Sequence, residues 1–476
     1  MFAQLASRFY HISTASSSDI SPATCGHAPF KSIQEARTLL SRSIKAVNDT
    51  AAQDCVRMLV STADYLIDYA REMLHSYPYR QVPGCWRELY TDAGIHKALG
   101  LGFLAMTRDI HDTAEDDPID LLRQAILACD NVLVMSGASG IERKPIVYEL
   151  IDLLENMITD MAEQTGNKES DPAQKKRRIY PPLKLGEDVN SETVPALKYP
   201  IPRLELPTMD AFQRHVNGPA GGTPIIITGA IDHWPARERW TDLETLCQTA
   251  GPDRLVPIEI GSQYTDEEWT QKLVTIREFI QDYIIGPSTS PRSLGKGGSD
   301  FKDEPKSRVG YLAQHDLFDQ IPRLRRDIDI PDYCMIEPRV QKGYNPPDDI
   351  LLNAWFGPRG TVSPMHTDPY HNLLAQVVGH KYVRLYAPSE SAKLYAFGTG
   401  APSGQEEQEE KQEQDTMLGN TSQVDVERPD LLRHPLFAQA QYVEAILGPG
   451  DVLFIPFEWW HYIRSLSTSF SVSFWF

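Results

Sequence analysis

The sequence contains no paired-cysteine motif. Its six cysteines, Cys25, Cys55, Cys85, Cys129, Cys247 and Cys334, are scattered with no C-x-x-C among them. This excludes the usual zinc-finger and redox-dithiol frameworks and fits a reducing compartment, nuclear or cytoplasmic. Long apolar runs are missing too. Nothing approaches the roughly 18 residues that a membrane span requires, so no membrane partner is expected. Basic charge is the third shortage: 46 lysines and arginines stand against 65 acids, a net charge of −19. Such a chain is a poor general binder of phosphate backbone. No direct nucleic-acid binding is expected, whereas a basic peptide or protein would suit it. No internal repeat of convincing period is present.

What is present is enough for two or three domains: 476 residues, 41% of them apolar. The opening "MFAQLASRFYHISTASSS" lacks acids and carries Arg8, as transit peptides do, but has no apolar signal core. Residues 1–29 are expected to be a disordered N-terminal tail. Residues 30–163 read as a helical domain. Ile33, Ala36, Leu40, Ile44 and Val47 recur at helical spacing, as do Leu59, Ala63, Leu66, Ala70 and Met73, and Leu150, Leu153, Leu154 and Met157. Residues 164–199 are polar and aperiodic, which is linker chemistry. They hold a basic cluster, Lys175, Lys176, Arg177 and Arg178, read either as a nuclear-import signal or as a solvated charge run.

From residue 200 the pattern changes to short β-prone runs: "PIIITGAI", "RLVPIEIG", "KYVRLYAP", "DVLFIPF" and "FSVSFWF". Proline and glycine turns separate them, as in a sandwich or barrel. Two stretches look like surface insertions, 286–308 and the acidic 403–415 ("SGQEEQEEKQEQD"), the latter expected as a disordered loop.

Within the β-rich part, "VSPMHTDPYHNLLAQVVGHKYVRLYAP" places His366, Asp368, Asn372 and Lys381 in an otherwise apolar run. Buried charge is costly unless paired or bound to a metal. His366 and Asp368 stand two apart, so on a strand both point to one face. The spacing alone is weak, since about two such His/acid pairs arise by chance in this composition. A later apolar strand leads into His461, flanked by Trp459 and Trp460. Two histidines and one carboxylate make the facial triad of non-haem Fe(II) oxygenases, which leaves coordination positions open. A zinc hydrolase would also use open positions but would want a nearby general base. Lys381, Val383 and Leu385 share one strand face, expected to point inward, and a buried lysine is reasonable if it meets the carboxylate of a ligand.

These stretches resemble a Jumonji C (JmjC) domain. The resemblance rests on "GSQYTDEEW" (261–269), "GYLAQHDLFDQIP" (310–322), "IPDYC" (330–334), 353–391, "NTSQVDVERPDL" (420–431) and 450–476, and so covers nearly all of 200–476. It implies a mixed α and β chain: a helical N-terminal domain, then a double-stranded β-helix, the cupin-like jelly-roll barrel, over 200–476. It also implies an Fe(II) cofactor held by His366, Asp368 and His461, with 2-oxoglutarate and O2 as co-substrates. Lys381 would pair with the distal carboxylate of 2-oxoglutarate. Tyr264, Ser363 and Asn372 would be polar co-substrate contacts, and Trp355 and Trp475 would line the pocket. Read without the resemblance, Tyr264 and the two tryptophans are plain core, Ser363 a turn residue and Asn372 a strand-end cap. His371, His380 and Arg384 are expected at the surface or in support.

The implied activity is hydroxylation of a protein side chain, with arginyl C3 hydroxylation first. The acidic chain suits an Arg-bearing peptide. Histone methyl-lysine demethylation is the alternative, against which stand Asp368 where many demethylating members carry Glu and the lack of a zinc-binding Cys/His cluster. A non-catalytic scaffold is the third reading. The oligomeric state is not legible.

Overall fold

The computed structural model describes residues 1–14, 19–45, 51–78, 81–107, 117–165, 180, 184–218, 221–261, 269–286, 309–339, 341–398 and 418–476. The basic cluster at 175–178, Tyr264, all but the first residue of the 286–308 insertion, and the 403–415 insertion lie outside the described residues. The chain forms two compact units: Met1–Arg177 with Asp253–Leu255, and Arg178–Pro252 with Val256–Phe476.

Among the described residues the first unit has six helices: α1 (Phe2–Ser13), α2 (His27–Lys45), α3 (Ala51–His75), α4 (Gly84–Met106), α5 (Pro118–Ser136) and α6 (Arg143–Thr165). Most of the apolar stripe residues pack as their spacing dictates; Ile44, Met73, Leu153 and Met157 are only partly buried, and Val47 lies outside the described residues. Ile33, Ala36 and Leu40 of α2, Leu59, Leu66 and Ala70 of α3, and Leu150 and Leu154 of α6 are all fully buried in one core. Helix α4 is buried along most of its length, its polar Glu88, Asp92 and His96 included. Gly94 lets α5 come close, since a Cβ there would sit 2.2 Å from Val132 Cγ2. Helix α5 carries its own start and stop signals. The Asp117 side chain accepts from the Ile119 N–H, Pro118 follows, and Gly137 ends the helix in the left-handed region at φ 64°.

Two expectations are corrected here. Residues 1–29 are not a loose tail: Phe2, Leu5, Ala6 and Phe9 form a helical stripe on α1 and are buried. Phe2 meets Phe103 edge-on at 5.2 Å and Phe9 meets His96 at 5.0 Å. The serine run at 16–18 outweighs this short stripe in any reading by composition. Likewise the described part of 164–199 is not free linker. Tyr180 and Leu185 are buried in the core of the second unit, and the Asp188 carboxylate accepts from the Thr468 N–H at 2.9 Å. Two apolar side chains suffice to anchor a segment that is otherwise polar.

The second unit contains thirteen strands among the described residues: β1 (Arg203–Glu205), β2 (Ile225–Thr228), β3 (Leu255–Ile260), β4 (Thr270–Thr275), β5 (Gly310–His315), β6 (Leu351–Gly357), β7 (Val362–His366), β8 (Asn372–Val378), β9 (Lys381–Tyr386), β10 (Tyr442–Leu447), β11 (Val452–Ile455), β12 (Trp460–Ser465) and β13 (Ser469–Trp475). They form a nine-stranded sheet, ordered β1-β2-β11-β8-β13-β6-β5-β3-β4, and a four-stranded sheet, ordered β10-β9-β12-β7. Strand β13 shows how a two-residue period builds the layers. Phe470, Val472 and Phe474 enter the core beneath the unit's helices, beside Trp240 and Phe279. Ser471 and Ser473 turn to the other face, where Ser471 donates to Gln376 at 2.7 Å and Ser473 accepts from the Trp355 indole at 2.9 Å. A smaller apolar layer fills the space between the sheets, with Leu374 and Leu453 against Val383, Leu385 and Ala445. Tyr382, Tyr386, Trp460 and Tyr462 pack on the outer side of the small sheet. This is the mixed fold expected, helices followed by a cupin-like jelly roll. No helix among the described residues is long and apolar enough to cross a membrane.

Candidate metal centre

The antiparallel pairing of β7 and β12 sets His461 directly opposite His366, with a bulge immediately after His461. Direct cross-strand partners have adjacent side chains, and the two imidazole centroids lie 4.2 Å apart. Asp368 follows two residues after His366, past the end of β7 and in the turn to β8 rather than on the strand face expected. The turn still brings its carboxylate into the same space, with Oδ1 at 3.7 Å from His366 Nε2 and Oδ2 at 3.5 Å from His461 Nε2. One ligand atom from each of the three residues lies within 4.8 Å of the others, and among the described residues no other His/Cys/Asp/Glu group of this kind occurs.

Backbone carbonyls fix the tautomers. His366 Nδ1 lies 2.7 Å from the Pro364 carbonyl, and His461 Nδ1 lies 3.0 Å from the Trp459 carbonyl. A carbonyl only accepts, so each Nδ1 must carry a proton and donate. When the imidazoles are neutral, both Nε2 lone pairs then face the space they share with Asp368. Burial pushes the His366 pKa down to about 4, and repulsion by His461 adds to this. Burial acts on His461 in the same direction, but the Asp368 charge and hydrogen bond outweigh it and its pKa rises. Burial disfavours the Asp368 charge; the pull of His461, its hydrogen bond, the pull of His366 and the Asn372 amide still bring its pKa below the ordinary value. Two imidazole nitrogens and an ionised carboxylate therefore converge from one side, a donor set that suits a divalent first-row metal with open positions.

The remaining walls close a small cavity. Trp355, Ser363, Asn372 and Lys381 line it together with the triad. Strand β9 points Lys381, Val383 and Leu385 inward, Lys381 toward this cavity and the other two into the inter-sheet layer. Lys381 is 1% exposed. Burial pushes its pKa down to about 7, and its Nζ has the Tyr311 hydroxyl at 3.3 Å. No carboxylate forms an ion pair with it among the described residues. Asn372 donates weakly to Asp368 Oδ2 at 3.4 Å, while its Oδ1 is buried without a partner. Trp475 does not line the cavity; it stands beside Asn372 across the β8–β13 pairing and packs on Tyr370 at 5.7 Å.

Three features escaped the reading of the sequence. Tyr311 on β5 lines the cavity between Lys381 and Ser363. It lies inside "GYLAQHDLFDQIP", but nothing in that stretch marks this tyrosine from the others. Leu374 and Ile463 supply the apolar wall. Finally, Asn420 clamps the residue between two triad members: its side-chain amide donates to the Thr367 carbonyl and its carbonyl accepts from the Thr367 N–H, both at 2.9 Å.

Comparison with known proteins agrees with this geometry. A family model for a cupin-like domain matches residues 210–476. Over 415 residues the chain is 40% identical to lysine-specific demethylase 8 of Danio rerio, spanning 87% of this chain and 86% of that protein. It is 42% identical over 275 residues to Jumonji C domain-containing protein 5 of Drosophila melanogaster, covering 58% of this chain and 59% of that one. A more distant match, 24% identical over 269 residues, covers 53% of this chain and 77% of the human bifunctional peptidase and (3S)-lysyl hydroxylase JMJD7. With the family model spanning more than half of the chain and the Danio rerio protein aligned over most of both sequences, the protein belongs to the cupin-like Jumonji C family of 2-oxoglutarate-dependent iron oxygenases.

Proposed function

We propose that the protein hydroxylates a side chain of a basic protein or peptide, with arginine C3 as the position, and that His366, Asp368 and His461 hold its Fe(II). The observation that carries the reading is Lys381: a buried ammonium facing the triad across an enclosed cavity, without a counter-ion among the described residues. A desolvated cation is costly alone, and a ligand carboxylate would compensate it. 2-Oxoglutarate supplies that carboxylate at one end and two metal-binding oxygens at the other.

When bound, Fe(II) with 2-oxoglutarate and O2 supplies an oxidant that puts one oxygen atom into a C–H bond while the keto acid leaves as succinate and CO2. The chain's own part is placement. Lys381 Nζ pairs with the distal carboxylate, and the Tyr311 and Ser363 hydroxyls stand beside it as further donors. The free Asn372 Oδ1 and weakly held amide leave that side chain able to turn toward a ligand. Trp355, held by Ser473, and the Leu374–Ile463 wall exclude water, which strengthens every polar contact inside.

A neighbouring recess supports a cationic substrate. Glu259 lines it with Trp269, Thr361 and Val362, and it shares Tyr311 with the cavity. Burial raises the Glu259 pKa, the nearby Trp269 indole opposing, and no cation pairs with it among the described residues. A guanidinium would compensate this carboxylate, bidentately where an ammonium could not. The net charge of −19 favours capture of a basic partner. The six free cysteines accord with a nuclear or cytoplasmic setting.

Demethylation of a histone methyl-lysine is the second reading, favoured by the likeness to the Danio rerio lysine-specific demethylase 8. Mass spectrometry decides between them. Arg-bearing and methyl-lysine peptides are incubated with enzyme, Fe(II) and 2-oxoglutarate. Gain of one oxygen on arginine is expected, and reduced with Glu259→Gln. Loss of a methyl from lysine, with arginine untouched, would overturn the arginine assignment. Succinate formation without any peptide change would point to neither substrate.

A further inference from the structure

His371 is fully buried, yet it is not among the residues lining the triad's cavity and, among the described residues, forms no ion pair. Its Nδ1 accepts the Phe457 backbone N–H at 3.0 Å. The ring is therefore protonated on Nε2, the opposite tautomer to His366 and His461. Burial pushes its pKa down to about 4, so the ring is neutral. Aromatic rings enclose it: Phe454 stacks at 5.6 Å, Tyr344 lies at 4.9 Å and Phe476 at 5.9 Å. Nε2 has no hydrogen-bond partner among the described residues. A buried donor left unmet is destabilising, so a phenylalanine would be the easier residue to bury here. The contact that a phenylalanine could not make is the one to Phe457.

That contact joins the two chain segments that build the metal centre. On one side, Asn372 follows His371 directly and donates to Asp368. On the other, Phe457 opens the turn in which Trp459 N–H bonds the Pro456 carbonyl and Glu458 takes a left-handed φ of 62°. The Trp459 carbonyl then receives the His461 Nδ1 proton. Removing the acceptor would leave the Phe457 N–H buried and unmet, and the strained turn would be free to relax. The orienting carbonyl of His461 would move with it.

We propose that His371 is a positioning residue, whose neutral Nδ1 ties the turn that orients His461 to the segment that carries Asp368, so that both reach the metal together. The proposal rests on the metal reading given above, and its test separates the two. Mn(II) alone is titrated into the full-length apo-protein and followed by electron paramagnetic resonance. Outer-shell partners of metal ligands typically contribute 10–100-fold in affinity. His371→Phe is expected to keep the packing and lose affinity by about that factor, whereas His371→Asn, whose Oδ1 can replace the Nδ1 acceptor, should keep most of it. In parallel, hydrogen exchange of the Phe457 amide is measured in the wild-type chain with and without Mn(II). By reciprocity of linkage, metal should slow that exchange, a result that stands even if the phenylalanine variant does not fold. Wild-type affinity in His371→Phe, equal loss in both variants, or Phe457 exchange indifferent to metal would each overturn the positioning role. No Mn(II) binding by the wild-type chain would overturn the metal reading, and this role with it.

Discussion

Two buried sites, one in each unit, treat charge in opposite ways. In the helical unit, Arg37 and Arg143 meet Glu88 and Asp92. Arg143 reaches Glu88 at 2.9 Å and Asp92 at 3.1 Å, and Arg37 reaches Asp92 at 3.3 Å. All four are at most 4% exposed. Two positive and two negative groups compensate one another, so nothing further is needed there. In the barrel unit, Lys381 is as deeply buried but has only a neutral hydroxyl, and the triad's lone pairs converge on space. Burial of charge is common to both; what distinguishes the candidate site is charge and lone pairs that the protein itself leaves uncompensated.

This contrast can be broken most severely at Asp368. Asp368→Ala removes one of three ligands, and 2-oxoglutarate turnover, measured as succinate release at ordinary iron concentration, is expected to vanish while far-UV circular dichroism is unchanged. Near-normal succinate production would defeat the triad. Next comes a paired test of the two buried charges. Asp92→Ala leaves two buried guanidiniums short of a partner and should cost about 3–5 kcal/mol in denaturant unfolding. Lys381→Met should do the reverse to the empty protein. A lysine whose folded pKa lies below its unfolded value costs stability at all pH below the unfolded value, most of all below about 7. Its removal should therefore stabilise the fold at pH 7 by on the order of a few kcal/mol, while weakening 2-oxoglutarate binding by about 2–5 kcal/mol. Destabilisation by Lys381→Met would mean that the ammonium is already compensated inside the protein.

A smaller effect follows from the same residue. The co-substrate carboxylate needs the charged ammonium, which the free protein loses as pH rises through about 7. Affinity for 2-oxoglutarate, measured by calorimetry on Mn(II)-loaded protein, should hold below pH 7 and fall about tenfold per pH unit above it. Lys381→Met should show no such slope; a slope that persists would assign the titration to another group. The smallest change is expected from deleting 403–415, six acids and one lysine without an apolar anchor. Peptide turnover and thermal stability should be nearly unchanged, with slower capture of an intact basic protein at low salt. Lower stability after deletion would show that the segment packs on the barrel.

Much of this was legible before any coordinates. Stripes at helical spacing named the buried residues of α2, α3 and α6, because a helix that buries one face must repeat its apolar residues every three to four positions. Alternation in "KYVRLYAP" put Lys381 on the same face as Val383 and Leu385, because a strand sends successive side chains to opposite sides. The pairing of His366 and Asp368 with His461 needed the family resemblance as well, since His461 lies 93 residues after Asp368 and spacing carries no information over that distance.

The sequence by itself determined the periodic elements, their inward faces and the types of donor available, because these depend on neighbours along the chain. Only the tertiary structure decided the rest. It placed His461 across from His366, ended β7 before Asp368, turned both Nδ1 protons onto backbone carbonyls, chose Tyr311 as the hydroxyl beside Lys381 and folded Phe2–Ser13 into a core. Each of these depends on which distant segment lies alongside, and on whether a buried polar atom finds a partner there. That is a property of register and packing, which no local pattern of residues encodes.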